Sequence, residues 1–178
     1  IQYINSLPSP IGKDVPCIVL GCSPFVWGRQ FDAKSALYES RFRGKPDAVI
    51  AVWTAFAESG GKAIHIVDDE DLCNTFDEFR PQWPDIDVWF TISDSNIEKW
   101  CQRLMAWGGT RIFRHAKQVD SGEDLHTFID LACACGLKPG VATHSPGKIT
   151  KPELIGNYES LSFLVPFNPR QYHMDISP

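Results

Sequence analysis

Two histidines, His115 and His144, each directly follow a short apolar run, and two carboxylates, Asp68 and Asp69, follow another. A neutral imidazole can move a proton near pH 7 or hold a metal through a ring nitrogen. His115, His144 and Asp69 together would make a three-ligand site for a divalent metal, with positions left for water or substrate. Lys117 stands two residues after His115, so the two share one face if a strand persists there. A lysine between apolar walls is a Schiff-base nucleophile or a proton carrier. Cys22, Ser23 and Phe25 follow the first apolar run, while Asn168, Arg170 and Tyr172 follow the last. These are candidates for gripping a substrate, Arg170 for an anionic one.

Each of these residues also has a plainer role. Either histidine can hydrogen-bond a neighbouring loop, and His65, inside an apolar run, reads as a core residue. Asp68 and Asp69 are followed by Glu70 and Asp71, which is how a helix N-terminus is decorated. Asp120 can cap the helix that follows it. Lys117 can be an exposed loop residue, and Cys22 can be packing.

What places these residues at comparable positions is a recurring strand–helix pattern. Apolar, β-branched runs occur at Cys17–Leu20, Ala63–Val67, Val88–Ile92, Arg111–His115, Lys138–Thr143 and Leu161–Val165. Between them, apolar residues at helical spacing predict helices opening at Lys45-Pro46-Asp47 and covering Asp71–Phe79, a stretch through Ile97 and Met105, Glu123–Cys135 and Lys151–Asn157. Ser93–Ser95 could cap the helix through Ile97. Gly60-Gly61, Gly108-Gly109 and Gly136 stop helices, and residues 25–45 read as a long connection. Runs buried on both faces and alternating with helices belong to parallel α/β sheets. The regular period favours six units of a (β/α)8, or TIM, barrel, and the alternative is an open doubly wound sheet. A full barrel takes about 250 residues, so this reading treats residues 1–178 as one incomplete barrel domain with a polar leader at 1–15. Ligands in such folds bind at the carboxyl ends of strands, where the polar residues above fall.

The composition narrows the function. Apolar residues are 43% and charged residues 22% of 178, enough for a core and too balanced for disorder. The net charge of −5 and the lack of a basic patch argue against nucleic acid. No apolar run approaches a membrane span, and the leader has no apolar core like that of a secretory signal. Six cysteines with no CxxC pair fit free thiols in a reducing, cytoplasmic setting. Cys133 and Cys135 lie two apart in a predicted helix, where they face different ways. Exposed strand edges on an incomplete barrel would invite homo-oligomers.

Several segments resemble the aldo-keto reductases and barrel proteins related to them. These are Leu20-Gly-Cys-Ser-Pro-Phe-Val-Trp-Gly28, Ile66-Val-Asp-Asp69, Phe113-Arg-His115, Gly140-Val-Ala-Thr-His144-Ser-Pro146 and Val165-Pro-Phe-Asn-Pro169. The resemblance implies a barrel in which Asp69 orients the site, His115 binds a substrate carbonyl and NADP is the cofactor. The family's catalytic tyrosine and lysine have no counterparts here, where Cys73-Asn74 and Thr91-Ile-Ser93 stand. The leading expectation is therefore a barrel enzyme acting on a small polar, carbonyl- or carboxylate-bearing metabolite, as a metal-assisted lyase, isomerase or hydrolase. An NADP-linked reductase and a non-catalytic binding module are the alternatives.

Overall fold

The computed structural model describes residues 18–27, 34–145 and 161–165. Six strands form one sheet in the order of the sequence. They are β1 (Leu20–Gly21), β2 (Ala63–Val67), β3 (Asp87–Ile92), β4 (Arg111–Arg114), β5 (Lys138–Ala142) and β6 (Ser162–Leu164). Pairing is parallel where β1 meets β2 and where β5 lies between β4 and β6. The helices are α1 (Ser23–Val26), α2 (Ser35–Phe42), α3 (Pro46–Glu58), α4 (Glu70–Phe79), α5 (Ile97–Ala106), α6 (Ala116–Asp120) and α7 (His126–Ala134). The protein is thus an α/β fold of parallel βα units. No helix among the described residues is long and apolar enough to cross a membrane. Two compact units, Ile1–Trp89 and Phe90–Pro178, divide the chain inside β3.

In the first unit, Trp53 of α3 is wholly enclosed. Its ring centroid lies 5.3 Å from those of Phe76 and Phe79 on α4, and 6.2 Å from that of Phe25 on α1. Leu72, Cys73, Phe76 and Phe79 form the buried stripe of α4 at spacings of three and four. Ile64 and Ile66 of β2 are also fully buried. At the end of α3, Gly60 takes φ +88°, and its N–H reaches Ala57 O while that of Gly61 reaches Phe56 O, both at 2.9 Å. This left-handed closure satisfies two orphan carbonyls and turns the chain into β2.

In the second unit, Phe90 of β3 stacks on Trp100 of α5 at 5.4 Å and lies 5.9 Å from Trp107. Phe128, Ile129 and Ala132 are the buried stripe of α7, which packs on β5 and on α5. Gly136, at φ +71°, closes α7 as Gly60 closes α3. Gly140 sits in β5 with Phe113 of β4 and Ser162 of β6 as its register partners. A Cβ at that position would run into the Phe113 ring and stand 2.9 Å from Ser162 O. We expect Gly140→Ala to cost about 1–3 kcal/mol through overpacking, read as a lower urea midpoint. An unchanged midpoint would mean that β5 is not held between these neighbours.

The structure corrects several local expectations. The stretch 25–45, read as a connection, holds the end of α1 and all of α2. Pro24 is a first-turn proline of α1. α2 has no buried residue and therefore carries no apolar stripe to detect. The helix α5 is capped by Asn96, whose side chain accepts the Lys99 N–H at 3.2 Å, not by Ser93 or Ser95.

Candidate functional site

The second unit holds a compact polar cluster at the carboxyl end of β5. Beyond Ala142 the chain turns through Thr143, whose N–H is held by Leu164 O at 3.0 Å. Asp120, the last residue of α6, lies against this turn. Its Oδ1 accepts the Thr143 hydroxyl at 2.5 Å and its Oδ2 the His144 N–H at 3.0 Å. The His144 Nδ1 stands 3.4 Å from the same Oδ2, with the imidazole 43% exposed. Ser145 N–H closes the turn onto Thr143 Oγ1 at 2.9 Å. Thr143 itself is buried. The carboxylate is thus fixed by two donors, and an accessible imidazole stands beside it, an arrangement able to orient a histidine base. The sequence offered Asp120 both as a polar residue following the fourth strand and as a helix cap, and its contact with the turn after β5 became visible only in the fold, where β4 and β5 pair.

In the same unit, Arg114 is buried at the end of β4 and grips Glu123, its Nη2 donating to Oε1 and Oε2 at 2.8 and 2.9 Å and its Nε to Oε1 at 3.0 Å. Its Nη1 also donates to Asp94 O at 2.6 Å. The fork therefore ties together the segments that follow β3 and β4. β4 ends at Arg114, so the shared strand face expected for His115 and Lys117 is replaced by a helical turn. His115 caps α6, its Nδ1 accepting the Lys117 N–H at 3.1 Å, and Lys117 is exposed rather than walled by apolar groups.

In the first unit, a cleft of about 830 Å³ opens beside α1 and the start of α4. Phe25, Trp27 and Phe42 give it aromatic walls, while Arg43, Asp69 and Glu78 supply charge. Phe25 and Asp69 were both singled out by sequence. Asp69 is the N-cap of α4, its carboxylate accepting the Leu72 N–H at 3.0 Å, which is the plainer of its two expected roles. Cys22 does not line the cleft. It is fully enclosed, takes the Trp53 indole N–H at 3.2 Å, and burial pushes its thiol up to about 12. Ser23 opens α1, where its carbonyl accepts the Trp27 N–H.

His65 in β2 is another titratable group of this unit. Burial lowers it to about 4. The folded protein keeps this imidazole neutral where the unfolded chain, near 6.5, takes up a proton. Stability is therefore full above about pH 6.5 and falls as pH drops towards 4, by roughly 2–3 kcal/mol in all. We expect His65→Leu to remove this part of the acid sensitivity, seen by comparing urea midpoints at pH 7 and pH 4.5. Equal losses in the two proteins would show that His65 does not carry it.

No group of three or more His, Cys, Asp or Glu side chains among the described residues is placed to hold a metal ion. The donor set expected of His115, His144 and Asp69 thus finds no support, and two of its members serve as helix caps. Asn168, Arg170 and Tyr172, the helix expected at Lys151–Asn157 and the leader lie outside the described residues. The five described cysteines are free thiols, three of them buried. No family model, curated protein or solved structure matches the chain.

Proposed function

We propose that the protein is an enzyme in which His144, oriented by Asp120, moves a proton to and from a small polar metabolite bearing a carbonyl or carboxylate. The observation that carries this reading is the His144 Nδ1 to Asp120 Oδ2 approach of 3.4 Å on an accessible imidazole at a strand's carboxyl end. With its proton on Nδ1, the neutral ring has its lone pair on Nε2, where it can take a proton from the carbon next to a carbonyl and return it elsewhere. That is the chemistry of an isomerase or lyase, and it needs only the imidazole as base. The six strands in sequence order, the first four followed by helices among the described residues, support the further proposal that the fold is a (β/α)8 barrel, whose strand ends are where such a centre belongs. The free, buried thiols support a cytoplasmic setting.

The test is solvent exchange. The protein is incubated in deuterated buffer with a panel of oxo acids and hydroxycarbonyl compounds, and mass spectrometry reads deuterium uptake. Uptake into at least one compound that is lost in His144→Gln supports the assignment. Uptake that survives this substitution places the base elsewhere.

A further inference from the structure

The cleft of the first unit is a binding site that the proposed proton chemistry does not use. Its volume of about 830 Å³ falls within the range of pockets that enclose small molecules. Its lining has two kinds of surface. One is aromatic and comes from α1 and α2: Phe25, Trp27 at the end of α1, and Phe42. The Phe25 and Phe42 ring centroids lie 4.7 Å apart, and that of Phe25 is 6.2 Å from the enclosed Trp53, so the core braces this surface. The other is polar and comes from α4. Asp71, Asn74, Thr75 and Glu78 all line the cleft, and spacings of three and four put them on one face of the helix, beside its buried stripe. The Thr75 hydroxyl donates to Asp71 O at 2.7 Å.

The charge around the cleft is unbalanced. Glu39, Asp69, Asp71 and Glu78 stand against Arg43 and Lys45. Both cations are engaged by α2: Arg43 Nη1 lies 3.9 Å from Glu39 Oε1, and the Lys45 ammonium donates to Ser40 O at 2.5 Å. The excess of negative charge therefore lies along α4.

We propose that this cleft binds a small organic cation, a primary ammonium carried on an aromatic body. Phe25, Trp27 and Phe42 would cover the body, and such rings attract a cation that comes within about 6 Å of a face. Asp71 and Glu78 are two turns apart, about 10 Å along the helix axis, so an ammonium at the turn of Asn74 between them is attracted by both. A neutral ligand would leave this charge unanswered, and a carboxylate would be repelled by it.

The test is isothermal titration calorimetry at pH 7 and low salt with three indoles that differ in their end group: tryptamine, a cation; tryptophol, neutral; and indole-3-propionate, an anion. Tryptamine should bind about tenfold tighter than tryptophol, with indole-3-propionate the weakest, and added salt should shrink the preference. Asp71→Asn combined with Glu78→Gln should remove the preference while leaving tryptophol binding as it was, whereas Trp27→Leu should weaken both compounds. Equal binding of the three compounds, no binding of tryptamine, or a preference that survives the combined substitution overturns the proposal. The wild-type comparison of the three compounds decides by itself should a variant fold poorly.

Discussion

Replacing Trp53 by alanine should lower the stability of the protein by about 3–5 kcal/mol, the range for deleting a fully buried aromatic side chain. The indole is wholly enclosed, with Phe25, Phe76 and Phe79 around it. These rings come from α1 and α4, so the resulting cavity would be lined from several elements and could not collapse by moving one. A loss of this size is a large fraction of a typical domain's 5–15 kcal/mol. It should lower Tm by about 10 °C or more. Trp53→Phe keeps an aromatic ring in place but takes away the N–H that reaches Cys22 Sγ; it should cost about 1–2 kcal/mol. A Trp53→Ala protein that unfolds within about 1 kcal/mol of wild type would mean that the first unit's core is centred elsewhere. Chemical denaturation followed by circular dichroism distinguishes these outcomes.

The second large effect is on activity. His144→Gln should lower the rate of the proposed proton transfer about 10²–10⁴-fold, the usual contribution of a positioned acid–base group. Asp120→Asn should cost at least about 10²-fold while leaving the fold intact, because the amide no longer holds the imidazole proton on Nδ1. Asp120 acts through His144 and is a positioning residue, so its loss should fall mainly on kcat and change the pH profile, with KM little affected. Thr143→Val keeps both His144 contacts to Asp120, and its loss should be the smallest of the three. Equal rates in wild type and Asp120→Asn would remove the carboxylate from the mechanism.

Much of the fold was legible in the residue pattern, because β2 and β3 are largely apolar and α4, α5 and α7 carry buried stripes. The short or unpatterned elements were not. α6 is five residues long and α2 buries nothing, so neither has a period to detect. The candidate site was half legible. His144 stands out as a polar residue at a strand end, but its partner lies 24 residues earlier and is joined to it only by the parallel pairing of β4 with β5. Asp69 and His115 were visible as chemically capable groups, and local sequence could not reveal that both would be spent on capping.

The most direct test of the central claim is the tautomer of His144, read from long-range proton–nitrogen correlations of the imidazole in the folded protein. Neutral His144 with its proton on Nδ1 in the wild type, and a shift of the proton towards Nε2 in Asp120→Asn, is the predicted result. A wild-type His144 carrying its proton on Nε2 would contradict the account, because the nitrogen facing Asp120 would then have nothing to donate and the lone pair assigned to the base would not exist.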